Sequence, residues 1–211
     1  MFGNKIMILN KDNVFILPPN NKNGLSTAPP NRFDLCDSFE FIVKVKPDLE
    51  KLKSEKHGGY IVSLNGKHLG IQIKDTFVDG TIWTDTGEKK LRHIYPMYMH
   101  NEFKIHFVCN LKQKYIQIKE NKGLFTERIT HFDGEMLEEY KTSYLWVGCG
   151  YGFDECPVDD RQYFTGEITY LEIKKDNKTI FLSNFKKHTD FKVFDESGNG
   201  NHLLKFNGEW Y

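Results

Sequence analysis

Hydrophobic and polar residues alternate one by one along most of this chain, the signature of strands with one buried face. Over residues 38–46, Phe39, Phe41, Val43 and Val45 fall on one side, Glu40, Lys44 and Lys46 fall on the other, and Pro47 closes the run. Phe103, Ile105, Phe107 and Cys109 alternate in the same way with Glu102, Lys104 and His106. Tyr60, Val62 and Leu64 predict one further face, and Leu69, Ile71 and Ile73 another. Between them Asn65-Gly66 is a strong hairpin signal, because both turn positions favour positive φ. Ile116 and Ile118 follow the turn residues Asn110-Leu111-Lys112-Gln113. In the C-terminal half, residues 144–147, 163–174, 179–182 and 202–206 read as strands, and Asp176-Asn177-Lys178 as a turn. The pattern predicts roughly eleven to thirteen strands, spaced as in a sandwich.

Helical signals are few. Pro47-Asp48 stand well at the start of one or two turns running to Lys53, and residues 134–141 suit another short helix. No βαβ rhythm appears, which argues against a parallel sheet. Residues 1–32, with Pro18-Pro19 and Pro29-Pro30, read as an irregular lead-in, and residues 33–211 as one domain. Within the lead-in, Ile6-Met7-Ile8-Leu9 and Val14-Phe15-Ile16-Leu17 are either edge strands of this domain or a docking arm.

Composition narrows the class. With 211 residues, 39% hydrophobic and 14% aromatic, the chain supports one sizeable core and is not disordered. Lys+Arg and Asp+Glu both total 29, so no general field draws the chain to nucleic acid. No stretch approaches the ~18 apolar residues of a membrane-spanning helix. The N-terminus lacks a signal-peptide core of normal length and a small-residue cleavage site. Cys36, Cys109, Cys149 and Cys156 form no CxxC pair and read as small buried hydrophobes, although Cys149 and Cys156 could meet across a hairpin. An excess of Lys (25) over Arg (4), with 16 Asn, reads as A/T-rich coding, as in a low-GC bacterium or its phage.

Several segments, in order, resemble the concanavalin A-like lectin/glucanase superfamily, especially its laminin-G-like members. They are the strand of residues 37–47, Asn101-Glu102-Phe103-Lys104-Ile105-His106-Phe107, Leu145-Trp146-Val147-Gly148, and Phe164-Thr165-Gly166-Glu167-Ile168 leading into Leu171-Glu172-Ile173. Asp195-Glu196-Ser197-Gly198-Asn199-Gly200-Asn201 is similar to the family's D-x-S-G-N-G-N turn, but it lies at the end of the chain instead of near the start. On its own physical terms, Asp195 and Ser197 can accept backbone amides there, while Gly198 and Gly200 supply positive φ. The resemblance implies an all-β fold, a jelly roll of two antiparallel sheets. It also implies a non-catalytic recognition module that binds a glycan or cell-surface polysaccharide. The alternatives are a divergent glycan-cleaving enzyme (hydrolase or lyase) and a purely structural virion protein.

No catalytic signature stands out. The E-x-D-x-x-E carboxylates of the superfamily's glucanases are absent, as are Gly-x-Ser-x-Gly, His-Glu-x-x-His and P-loop patterns. Glu167 and Glu172, five apart, would face opposite sides of a regular strand, and Glu135, Glu138 and Glu139 suit a solvated surface. The acidic segment with Asp154, Glu155, Asp159 and Asp160 beside a glycine-rich loop offers oxygen ligands of the kind calcium takes, although solvated acidic loops are commoner. A sugar site needs aromatic faces for stacking and polar groups for hydroxyls. Trp83, Tyr95, Tyr98, His100, Asn101 and Tyr151 are the candidates, with residues 93–101 expected to be a loop because of Pro96. Trp146, between Leu145 and Val147, reads as core. Laminin-G-like modules usually work outside cells. Without a leader, the chain is expected either as an excised domain or as a virion component that docks on other subunits through residues 1–17; otherwise it is cytoplasmic.

Overall fold

The computed structural model describes residues 7–9, 15–17, 37–48, 50–51, 59–64, 69–74, 77–94, 102–120, 128–136, 145–150 and 162–205. Seventeen strands lie among them, more than the alternation predicts, because several are only two or three residues long.

The first sheet has seven strands. Its spine is β3 (Ser38–Pro47) between β8 (Phe103–Asn110) and β14 (Gly166–Lys175). Beyond β8 lie β9 (Tyr115–Glu120) and the edge strand β10 (Arg128–His131). The other side of β14 is shared: β1 (Met7–Leu9) pairs with its start and β15 (Lys178–Ser183) with its end. The β14–β15 turn is Asp176-Asn177, with φ of 48° and 63°, a two-residue hairpin in which both central residues are left-handed.

The second sheet runs β16 (Lys192–Val193), β17 (Leu203–Lys205), β2 (Phe15–Leu17), β11 (Leu145–Val147), β4 (Gly59–Leu64), β5 (Leu69–Lys74), β6 (Phe77–Thr84), β7 (Gly87–Ile94). The short strands β12 (Cys149–Gly150) and β13 (Gln162–Tyr163) pair with each other, and β13 touches β4 in the one parallel register of the described residues, Tyr163 to Tyr60. Residues 7–9 and 15–17 of the two apolar runs are thus strands of this sandwich, and β2 is interior, between β11 and β17. Asn65-Gly66 lies in a four-residue connection, since Leu64 pairs with Leu69, and residues 65–68 are outside the described set.

The inner faces close one apolar core. Phe39, Phe41, Val43 and Val45 from β3 meet Val62, Leu64, Leu69, Ile71 and Ile73 from the facing sheet, all fully buried. Phe41 and Phe107 stack at 6.0 Å, and Gly80 of β6 leaves room for that Phe107 ring, which a Cβ would meet at 2.5 Å. Burying aromatic and branched side chains of this size is the dominant favourable term in holding the sheets together.

Three expectations fail for local backbone reasons. A bulge between Tyr60 and Val62 turns Tyr60 to the outer face, opposite Gln72, so it does not share a face with Val62 and Leu64. A second bulge, between Ile168 and Tyr170, shifts the parity of β14; Glu167 then pairs with Lys46 and Glu172 with Ile42, and both glutamates project outward on one side. Gly134 has φ of 83° and residues 134–136 are not helical but tied to the β6–β7 turn by the Glu135 amide, which donates to Asp85 Oδ1 at 2.9 Å; residues 137–141 of that expected helix lie outside the described residues. His93 and Ile94 belong to β7 and not to a loop. At the other short helix, Glu50 and Lys51 are helical and the Lys51 amide donates to Asp48 Oδ1 at 3.3 Å, as an N-terminal cap.

The D-x-S-G-N-G-N turn does what its residues suggest. One carboxylate, Asp195, accepts four bonds: from the amides of Leu182 (3.0 Å), Ser197 (2.9 Å) and Asn201 (2.9 Å) and from the Ser197 hydroxyl (2.8 Å). Gly198 and Gly200 have φ of 86° and 71°. Asn199 and Asn201 donate to the carbonyls of Thr179 and Ile180, which fastens the turn to β15.

Candidate functional site

The β6–β7 hairpin closes one edge of the second sheet, and its outer face sets half-buried Trp83 and exposed Glu88, Lys90 and Arg92 around the buried Asp79 and Thr81. Strand alternation sends Phe77, Asp79, Thr81 and Trp83 outward from β6, and register places Arg92 beside Asp79 and Glu88 beside Trp83. The turn that holds this edge is braced: Thr84 and Thr86 hydroxyls both donate to the Asp133 carbonyl at 2.9 Å.

At one end, Trp83 is half-buried and its indole Nε1 donates to Glu88 Oε1 at 3.2 Å, which fixes the ring's orientation. Glu88 also pairs with Lys90 at 3.3 Å. At the other end, Arg92 donates from Nε to Asp79 Oδ1 and from Nη2 to Asp79 Oδ2, each at 2.9 Å. The carboxylate is 1% exposed, whereas the arginine side chain is 51% exposed. Its guanidinium carbon lies 3.7 Å from the centroid of the Phe77 ring, in cation–π contact. The Asp79 hydrogen bonds hold the Arg92 pKa above its ordinary value, against a smaller opposing effect of burial. Arg128, from the edge strand of the other sheet, donates from Nη1 to the Arg92 carbonyl at 3.2 Å.

The outer face of the first sheet is also polar but is bonded to itself. His106 Nε2 lies 2.6 Å from Glu40 Oε2, across β8 and β3. Glu172 accepts from the Tyr170 hydroxyl at 2.8 Å and the Thr179 hydroxyl at 2.7 Å, with Lys174 at 3.8 Å. Burial works to raise the Glu172 carboxyl, but those two hydrogen bonds and the Lys174 and Lys104 charges prevail and hold it below the usual range. Burial and the Glu172 bond push the Tyr170 hydroxyl up to about 12.

Of the sequence-predicted sugar-site residues, Trp83 lies on the hairpin face. Tyr95, Tyr98, His100, Asn101 and Tyr151 lie outside the described residues, as do Asp154, Glu155, Asp159 and Asp160. Among the described residues no group of three or more His, Cys, Asp or Glu is placed to hold a metal ion. Trp146 is buried, at 3% exposure, but not in the main core: it projects outward from the second sheet into a small cluster with Cys149, Tyr163 and Leu204. Sequence reasoning missed Phe77, Asp79 and Arg92. Their signal was the spacing of Phe77, Asp79, Thr81 and Trp83 before the Asp85-Thr86-Gly87 turn, which reads as an alternating hairpin strand.

No protein-family model matches the chain, and no curated protein matches it in sequence. Solved structures do match in shape. A Bacteroides ovatus protein provisionally described as carbohydrate-binding superposes with a TM-score of 0.58 at 12% identity, over 97% of this chain and 59% of that one. This chain therefore spans about three-fifths of that protein's length. The CBM40 module of the Ruminococcus gnavus IT-sialidase gives 0.49 at 10% identity, over 74% of this chain and 79% of that one. Domains LG4-5 of the mouse laminin alpha1 chain give 0.47 at 10%, over 85% and 45%. The chain shares the two-sheet antiparallel β-sandwich fold of the Bacteroides ovatus protein.

Proposed function

We propose that this chain is a carbohydrate-binding module that holds a glycan on the outer face of the β6–β7 hairpin without cleaving it. Fold alone does not assign a function, since unrelated activities share superfolds. The observation that carries the reading is the orientation of Trp83. A large aromatic is kept half-open on a strand, steered by a bond from its indole to Glu88, with Arg92, Lys90 and Glu88 on the same face. An apolar ring face for pyranose C–H groups and flanking donors and acceptors for hydroxyls are what a sugar site requires. The face is long. Trp83 and Arg92 stand four residues apart in register, roughly 13 Å along the strands, which suits an oligosaccharide.

The glycan-cleaving alternative would use the first sheet, where the parity shift puts Glu40, Glu167 and Glu172 on one side. Glycosidases need one carboxyl raised so that it can donate a proton. Glu172 is held the opposite way, and Glu40 is engaged by His106. Screening the protein on a glycan array, with product analysis of each binder, separates these readings. Retention of a glycan without product supports the module; product lost in Glu172→Gln would move the function to the first sheet; no retention and no product would overturn both.

Calcium at Asp154, Glu155, Asp159 and Asp160, and a setting on a virion or other extracellular surface, remain proposals drawn from sequence. A ligand that binds only the folded state raises the melting temperature. A higher Tm in millimolar calcium than in EDTA supports the metal, and identical melts would remove it.

A further inference from the structure

We infer that the Arg92 end of this face recognises an acidic group on the glycan, a carboxylate or a sulfate, so that the ligand class is an acidic oligosaccharide. This rests on the carbohydrate-binding reading and adds what kind of carbohydrate is chosen.

Arginine offers five N–H donors in a rigid plane. Asp79 occupies one edge of Arg92, taking Nε and Nη2 side by side. Those two bonds leave three donors unused, including the end-on fork made by Nη1 and the second Nη2 hydrogen, which matches two oxygens of one carboxylate or sulfate. The side chain is half-exposed, whereas its partner carboxylate is buried. The buried acid and the Phe77 ring together fix the guanidinium of that half-exposed side chain.

Neutralising Asp79 alone would need one cation and no particular fork. What the site adds is orientation and excess charge. Asp79 cancels one guanidinium, Arg128 brings a second against the Arg92 backbone, and Lys90 projects from the same face two residues away. The Lys90 charge is shared with Glu88, so these five charged groups of the described residues sum to one positive charge. In a chain with no net charge, that places the attraction at this end of the hairpin and not over the whole surface.

The test is a matched titration. Tetragalacturonate and its fully methyl-esterified form share a backbone and differ in whether each carboxyl is charged or capped as a methyl ester; dextran sulfate and dextran form the second pair. The acidic member of at least one pair should bind about tenfold or more tighter, with the margin shrinking as salt rises. Arg92→Lys, which keeps a cation beside Asp79 but removes the fork, should weaken the acidic member far more than the neutral one and so erase most of that margin. Arg128→Gln, which leaves the Asp79 pair intact, should reduce it partly. The arm that responds tells carboxylate from sulfate. Equal affinity within both pairs, or an undiminished margin in Arg92→Lys, would overturn the acidic preference; a neutral glycan that still binds through Trp83 would leave the module reading standing. Absence of binding to every glycan would overturn both.

Discussion

The Arg92 guanidinium meets the Asp79 carboxylate through two parallel bonds of 2.9 Å, with the acid buried and the base half-exposed. The asymmetry sets the outcome of removing either partner. Arg92→Ala strands a buried carboxylate and should cost about 2–3 kcal/mol. Arg92→Lys keeps a positive charge nearby and should cost less. Urea denaturation reads both; an Arg92→Ala protein as stable as the parent would mean that the pair does not hold the hairpin.

Acid should weaken the protein through the Asp195 turn. Burial acts to raise this carboxyl, but the Ser197 hydroxyl and the amides of Ser197, Asn201 and Leu182 outweigh it and hold the pKa below the usual range. The folded state therefore binds the proton less readily than the unfolded chain. The stabilisation is fully present above about pH 4, where the unfolded carboxylate titrates, and is lost as pH falls through the lower folded value. Glu172 acts in the same direction. Asp195→Asn should be less stable at pH 7 and decline less steeply into acid. Parallel pH profiles for the two proteins would contradict the assignment.

Much of the fold was legible in the chain. The alternation of Phe39, Phe41, Val43 and Val45 predicted their burial, and the Asp176-Asn177 and D-x-S-G-N-G-N turns behave as their residues dictate. What alternation cannot show is where it slips. The bulges beside Tyr60 and Tyr170 each insert one residue, and a single insertion exchanges the faces of everything beyond it. Glu167 and Glu172 moved onto one side for that reason. The site was less legible because it depends on a cross-strand pair, Asp79 with Arg92, thirteen residues apart in sequence and opposite only once the turn is known. Trp83 alone announced it. Trp146 read as core and is buried, although Leu145 and Val147 take the inner face and leave it in a second cluster on the outer face.

Removing residues 1–17 should unfold the protein. Phe15, at 1% exposure, is part of the main core, and β2 supplies hydrogen bonds to β11 on one side and β17 on the other. Loss of an interior strand exposes both neighbours' unpaired edges. Circular dichroism and a thermal melt of the truncated chain check this. A cooperative melt close to that of the full chain would show instead that the segment is a detachable arm.

The central claim is that the outer face of the β6–β7 hairpin receives the glycan. Its most direct test is the indole N–H signal of Trp83 in a proton–nitrogen NMR spectrum, identified by its loss in Trp83→Phe, during titration with the best-retained array glycan. Stacking on the ring and competition for Glu88 should shift that signal as sugar is added, while the indole of Trp146, buried on the same sheet, stays in place. A glycan that binds while the Trp83 signal remains fixed and amides of the first sheet move would contradict the account.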